Sequence, residues 1–145
     1  MIAVVKDLQA HEARYYDRLK PVDGIGQWYI DGIIESIAKY RGAFLVAEQN
    51  GNLIGYATLL TAVDSSEDQD EVLYTYSHVS ELAVRAGHRG KGVGSALLAE
   101  CERKARAAGQ KWLRLSVLAA NGDAREFYAA FGLREHLITL EKPLP

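Results

Sequence analysis

The chain has a single cysteine, no long apolar run and no excess of basic charge. Cys101 alone cannot form an intrachain disulfide, so nothing indicates an oxidising compartment. No apolar stretch approaches the roughly 20 residues of a membrane span. The charged start of the chain does not fit a signal peptide. We therefore expect a cytoplasmic protein with no membrane partner.

The charge balance also excludes a broad basic surface. The 145 residues include 17 Lys and Arg against 19 Asp and Glu, for a net charge of -2. A nucleic-acid partner is therefore not expected. With 48% hydrophobic and 25% charged residues the composition is that of a globular protein. The length suits one domain spanning residues 1–145.

Hydrophobic periodicity and turn residues predict alternating helices and strands. Helices are predicted over about 28–40, 93–108 and 123–131, and strands over 43–48, 53–61, 72–84, 112–118 and 136–140. Residues 2–5 allow either an edge strand or a helix that begins almost at Met1. Asn50-Gly51 predicts a hairpin turn. The order predicts an α/β (α+β) fold, with a mixed sheet and helices on both faces.

The segment from Glu81 to Leu98 is the most informative. A short apolar run leads into a loop of glycines and basic side chains, and an amphipathic helix begins near Val93. The loop contains Gly87, Gly90, Gly92 and Gly94, with His88, Arg89 and Lys91 between them. Free N–H groups, the helix dipole and glycines that let a ligand approach the backbone all favour an anion there. The segment predicts a pyrophosphate site; the alternative is a tight strand–helix connection.

Two common phosphate-binding motifs do not fit this segment. The Walker string G-x-x-x-x-G-K-[ST] does not occur. The spacing G-x-G-x-G differs from the dinucleotide pattern G-x-G-x-x-G, and the next predicted strand ends without an acidic residue. NAD and nucleoside triphosphates are therefore disfavoured.

The segment does contain R-x-x-G-x-G, formed by Arg89, Gly92 and Gly94. Asn121 and the string FYAAFGL, which contains Tyr128, follow downstream. Together these features resemble the GCN5-related N-acetyltransferase (GNAT) family, from residue 43 to the end of the chain. Leu133 replaces a Phe that is usual in the family. The resemblance implies a single-domain, mostly antiparallel sheet that is splayed between two central parallel strands.

The resemblance implies acetyl-CoA as the cofactor. Backbone groups of the loop would bind its pyrophosphate, and the peptide groups of Leu82 and Val84 would pair with its pantetheine arm, to which Asn121 would hydrogen-bond. The implied cofactor-binding residues are Leu82, Ala83, Val84, Arg89, Gly90, Lys91, Gly92, Val93, Gly94, Ser95, Asn121 and Tyr128.

The resemblance also implies the catalytic groups. Tyr128 would be the general acid for the leaving thiolate; its alternative is an aromatic residue of the core. Glu81 is the first choice of base, with His78 or a water chain as alternatives. A backbone N–H of Val84 or Leu82 would stabilise the oxyanion. Cys101 lies on the apolar stripe of its helix, so direct transfer is expected.

The acceptor is less well defined. Candidate substrate contacts are Trp28, Tyr29, Tyr74, Tyr76 and His78. The acidic segment 64–71 is either a solvated loop or an attractant for a cationic acceptor. The sequence predicts an N-acetyltransferase that acts on a primary amine of a small or cationic molecule. Alternative acceptors are a peptide N-terminus or a lysine. Alternative functions are a non-catalytic acyl-CoA sensor and an interaction protein. The acyl chain length and a possible homodimer also stay open.

Overall fold

A computed structural model describes residues 1–65, 70 and 72–145. The helices are α1 (Ile2–Glu12), α2 (Gln27–Lys39), α3 (Val93–Ala107) and α4 (Gly122–Phe131), and the strands are β1 (Ala43–Gln49), β2 (Asn52–Asp64), β3 (Thr75–Val84) and β4 (Leu113–Arg114). Short 3₁₀ turns at Val22–Gly24 and Ala86–His88 precede α2 and α3. No helix in the described ranges is long and apolar enough to cross a membrane.

The strands form one mixed sheet in the order β1-β2-β3-β4. β1 with β2 and β2 with β3 pair antiparallel, while β3 and β4 run parallel. Asn50 and Gly51 form the β1–β2 turn with φ values of 53° and 77°. The predicted hairpin is therefore confirmed.

The sheet opens between β3 and the chain that follows β4. The two strands pair only at Ser77–Leu113 and His78–Arg114, whereas β3 continues to Val84. The Arg85 N–H donates to the Ile54 carbonyl oxygen, 2.9 Å away. Because antiparallel ladders alternate, the amides of Leu82 and Val84 point away from β2 into this opening.

Apolar clusters cover both faces of the sheet. On one face, Ala57, Leu59 and Val79 pack against Leu97, Leu98 and Cys101 of α3. On the other, Tyr56 and Ala83 pack against Val4, Val5 and Ile25. The prediction of a mixed α/β sheet with helices on both faces is confirmed.

Cys101 belongs to the core, as its helical position predicts. Its side chain is fully buried in the cluster under α3. Burial raises the pKa of its thiol to about 11. The thiol is therefore neither accessible nor ionised at neutral pH.

Several predicted strands differ from the structure. Residues 2–5 belong to α1 and are not a strand. The strand predicted over 72–84 begins at Thr75. The strand predicted over 112–118 is reduced to Leu113–Arg114. Residues 136–140 form no strand, and Leu137 and Leu140 are 85% and 89% exposed. A strand needs a neighbour for its hydrogen bonds, and β4 ends too early to provide one. The parallel pair therefore lies at one edge of the described sheet instead of its centre.

The acidic segment predicted as a loop lies largely outside the described residues. Residues 66–69 and 71 are not described, whereas Asp64 ends β2. Its two alternatives therefore stay predictions.

Candidate active site

A cavity of about 140 Å³ lies where β3 and the chain after β4 diverge. Residues from α1, α2, β3, α4 and the segment after β4 line it. They are Leu8, Glu12, Tyr29, Val79, Ser80, Glu81, Leu82, Leu115, Ser116 and Tyr128. The opening in the sheet thus brings the two predicted catalytic residues, Glu81 and Tyr128, to one cavity.

A second cavity, of about 310 Å³, lies between α2 and the sheet. Its lining consists of Trp28, Tyr29, Gly32, Ile33, Ser36, Leu60, Ser80 and Glu81. Tyr29, Ser80 and Glu81 line both cavities. Glu81 therefore lies between the two cavities.

A bulge in β3 decides which way Glu81 points. Val79 faces α3, and in a regular strand Glu81, two residues later, would face the same side. The pairing with β2 slips between Thr58 and Leu59, so both Ser80 and Glu81 lie opposite Thr58. The extra residue turns Glu81 toward α1 and α2. The Ser80 and Thr58 hydroxyl oxygens, 2.6 Å apart, hydrogen-bond at this point.

The Glu81 carboxylate is held by phenols. The hydroxyl of Tyr56 donates a hydrogen bond to Glu81 Oε2. Burial raises the pKa of Glu81, while hydrogen bonding by Tyr56 and Tyr29 opposes that rise. The net pKa lies above the ordinary carboxyl value.

Tyr128 is kept protonated. Burial, with a smaller contribution from the charge of Glu12, raises the pKa of Tyr128 to about 12. The neighbouring Phe127 packs in the core beneath α3, with its ring 3.4 Å from the position that a Cβ on Gly94 would take. Both adjacent aromatics pack against the apolar cluster under α3, and Tyr128 also lines the cavity.

The glycine loop leaves open space at the start of α3. Gly92 is the N-cap of the helix with φ 84°, and Gly90 has φ 71°. A Cβ at either position would meet no atom within 4 Å. Only glycine adopts these angles without strain. The N–H groups of Val93, Gly94 and Ser95 lack helical partners, because the first helical hydrogen bond runs from the Ala96 N–H to the Gly92 carbonyl oxygen. At Gly94, by contrast, the ring of Phe127 packs closely and leaves little room for a larger side chain.

The basic side chains of the loop bond to nearby backbone. Arg89 Nε donates to the Val84 carbonyl oxygen at 2.8 Å, and Lys91 Nζ donates to the Gly87 carbonyl oxygen at 2.9 Å. A terminal guanidinium nitrogen of Arg89 also lies 3.2 Å from His11 Nδ1. These contacts gather positive charge between the loop and α1.

Asn121 caps α4 as predicted. Its buried side-chain oxygen accepts a hydrogen bond from the Ala124 N–H at 3.2 Å. Gly132 ends the same helix with φ 103°. Contact between Asn121 and pantetheine stays a prediction.

Three predicted substrate residues line neither cavity. Tyr74 precedes β3, whereas Tyr76 and His78 lie in its first half. The Arg114 guanidinium carbon lies 5.2 Å and 4.2 Å from the ring centroids of Tyr74 and Tyr76. Because β4 pairs with β3 at His78, the sheet is still closed there. Burial and the charge of Arg114 lower the pKa of His78. Trp28 and Tyr29, in contrast, line the cavities as predicted.

Glu12 and Tyr56 were not predicted as site residues. Glu12 follows Val5 and Leu8 at helical spacing, so it lies on the buried stripe of α1. A carboxylate on that stripe would have indicated a site residue if the segment had been predicted as a helix. Tyr56 carries no such signal, because its partner Glu81 lies 25 residues away.

Comparison with known proteins agrees with this geometry. The profile of the Acetyltransferase (GNAT) family matches residues 5–133. An uncharacterised N-acetyltransferase of Methanocaldococcus jannaschii is 26% identical over 130 residues, covering 90% of this chain and 53% of that protein. An N-alpha-acetyltransferase of Sulfurisphaera tokodaii is 29% identical over 106 residues, covering 70% and 62%. The chain thus spans less than two thirds of the length of these relatives.

The fold has a solved counterpart. A crystal structure of a mutant protein from Bacillus halodurans superposes with a TM-score of 0.85 at 16% identity, covering 99% of this chain and 91% of that chain. The family profile spans nearly the whole described structure, including the glycine loop and the residues of the cavity. The chain belongs to the acetyltransferase (GNAT) family.

Proposed function

We propose that this chain is an acetyl-CoA-dependent N-acetyltransferase that acts on the primary amine of a small or cationic acceptor. The observation that carries the proposal is the meeting of Glu81 and Tyr128 at one cavity in the opened sheet. Family membership supports an acetyltransferase. The N-alpha-acetyltransferase relative favours the N-terminal amine of a peptide as a second acceptor class.

The residues present fit acetyl-CoA. The open space above Gly90 and Gly92 would admit a pyrophosphate to the N-terminus of α3. The unpaired edge of β3 would offer the peptide groups of Leu82 and Val84 to the pantetheine arm. When bound, acetyl-CoA would supply an acetyl group activated as a thioester.

In the proposed reaction, Glu81 and Tyr128 carry out different proton transfers. The acceptor arrives as an ammonium with a pKa near ~10, and Glu81 takes one proton to free the nitrogen lone pair. A C–N bond would form as the C–S bond breaks, while Tyr128 would donate a proton to the departing sulfur and regain one from the amine nitrogen. Glu81 would then release its proton to solvent. A backbone N–H of Leu82 or Val84 would stabilise charge on the carbonyl oxygen.

The transfer proceeds directly between the two reactants. Glu81 borders both cavities, which supports a transfer in which the two reactants lie next to each other. The Cys101 thiol is fully buried and un-ionised, so it cannot form an acetyl-enzyme.

Thiol release tests the proposal. Acetyl-CoA and longer acyl-CoAs are first screened by thermal shift, and the protein is then assayed with a panel of amines and peptides. We expect stabilisation by acetyl-CoA and amine-dependent thiol release, which Glu81→Gln lowers by about 10²–10⁴-fold and His78→Gln leaves nearly unchanged. Stabilisation without thiol release for any amine would instead indicate a non-catalytic acyl-CoA sensor.

A further inference from the structure

The cavity holds a second carboxylate that the proton transfers above do not use. Glu12, the last residue of α1, lines the cavity together with Glu81 and Tyr128. Its side chain is half-buried. Within the part of the chain that the structure describes, no hydrogen bond or ion pair engages this carboxylate, and only burial and the charge of Glu81 act on its pKa.

The two carboxylates differ in how they are held. Glu81 accepts a hydrogen bond from the Tyr56 hydroxyl, which fixes its orientation. Glu12 has no such partner, although the charge of Glu81 is close enough to raise the pKa of Glu12. The neighbouring cations Arg14 and Arg89 bond to His11 and Val84 instead, and neither lines the described cavities. The two carboxylates of the cavity therefore have no counter-charge among the described residues that line it.

An ammonium group is the ligand chemistry that supplies this counter-charge. It donates up to three hydrogen bonds, enough to contact Glu12 and Glu81 together. A carboxylate beside the amine, as in a free amino acid, would bring a further negative charge into the same small cavity and would be repelled. The residues that line the cavity thus favour binding of cationic amines over zwitterionic amino acids.

We propose that Glu12 binds the ammonium group of the acceptor and makes the site selective for amines that carry no carboxylate beside the reacting nitrogen. The inference rests on the proposed acetyltransferase function and names the acceptor class of the same site. Glu12 holds the ammonium, Glu81 accepts its proton, and the neutral amine stays within reach of the thioester. No co-reactant beyond the acceptor and acetyl-CoA is needed.

The experiment compares matched acceptors that differ in one carboxylate. Thiol release is measured at saturating acetyl-CoA for alaninamide against alanine and for propylamine against β-alanine, with KM and kcat determined separately. We expect the wild-type protein to prefer the member of each pair that lacks a carboxylate. Glu12→Gln should raise KM for alaninamide and propylamine about 10- to 100-fold, as for loss of a charged hydrogen bond, with a smaller change in kcat.

Two further variants distinguish loss of the Glu12 charge from a general effect on the fold. Glu12→Asp keeps the charge and should retain part of the discrimination within each pair. Glu35→Gln removes a carboxylate from an exposed position of α2 that lines neither cavity, and should leave all constants unchanged. Calorimetric titration of each variant with acetyl-CoA checks that the coenzyme side is intact.

The outcomes distinguish the inference from the proposed function. Equal use of both members of each pair by the wild-type protein would overturn the inference and leave the acetyltransferase in place. Unchanged KM values in Glu12→Gln would do the same. No thiol release by the wild-type protein with any amine or peptide would overturn both.

Discussion

The Tyr56 hydroxyl donates a hydrogen bond to Glu81 Oε2 and so connects the fully buried middle of β2 to the cavity. This bond favours the ionised carboxylate, opposing the rise in pKa that burial causes. A base acts only when ionised. In the proposed mechanism, the pair therefore affects the pH at which Glu81 can act as the base.

Tyr56→Phe should shift the acid limb of the pH profile of kcat/KM to higher pH. Loss of the hydrogen bond removes a contribution that lowers the pKa of Glu81, so the carboxylate ionises at a higher pH. Stability should also fall by about 1–3 kcal/mol, because a hydrogen bond to a charged group is lost. Tyr40→Phe, at the end of α2, is the control and should change neither the profile nor the urea midpoint.

Tyr128→Phe should lower kcat about 10²-fold or more while coenzyme affinity changes little, because the variant loses a proton donor but keeps the ring. Steady-state kinetics and calorimetry with CoA measure the two effects. Tyr76→Phe, outside both cavities, should behave as wild type. Unchanged turnover of Tyr128→Phe on a good acceptor would rule out the general-acid role.

Gly92→Val should abolish coenzyme binding, because its side chain enters the open space at the N-terminus of α3. The variant also strains a backbone with φ 84°, at a cost of about 1–2 kcal/mol. Gly109→Val is the matched control, since Gly109 has φ 76°, open surroundings and a place at the other end of α3. We expect both to lose similar stability in urea unfolding. Wild-type CoA affinity in Gly92→Val would contradict the proposed pyrophosphate site.

Glu12→Gln should stabilise the fold at neutral pH. Burial and the charge of Glu81 raise the pKa of Glu12 above its ordinary value of 4.5. A carboxyl whose pKa is raised by folding contributes stability that is full below its unfolded pKa and is lost as the pH rises through its folded pKa. The glutamine does not ionise and avoids this loss.

Thermal melts at pH 4 and pH 8 measure that difference. The variant and the wild-type protein should melt at similar temperatures at pH 4, and the variant should melt higher at pH 8. Glu35→Gln, on the exposed side of α2, should follow the wild-type protein at both values. A lower melting temperature for Glu12→Gln at pH 8 would show that the carboxylate stabilises the fold. The expected combination of higher stability and weaker acceptor binding is typical of functional charges.

Features encoded by neighbouring residues could be predicted from the sequence. The Asn50-Gly51 turn, the start of α3 at Val93 and the Asn121 cap depend on conformational preferences and hydrogen bonds within a few residues. The burial of Cys101 follows from helical spacing. These local features also located the glycine loop and the segment containing Tyr128.

Features that depend on contacts between residues far apart in the chain could not be predicted from the sequence. The strand predicted over 136–140 has the right composition, yet no neighbouring strand reaches it in the described structure. Tyr74 and Tyr76 were predicted as substrate contacts because they share a predicted strand with Glu81, and that role stays a prediction. Neither lines a cavity described above, because pairing with β4 closes the sheet at His78.

The sequence by itself determined the family motifs, the glycine loop proposed as an anion site and the identities of Glu81 and Tyr128 as candidates. Only the tertiary structure decided the direction of Glu81, because the bulge at Ser80 arises from pairing with β2 and turns the carboxylate away from α3. It also decided that Glu12 shares the cavity, since α1 reaches this site by packing across the sheet. Long-range packing, which no local spacing specifies, thus completes the site.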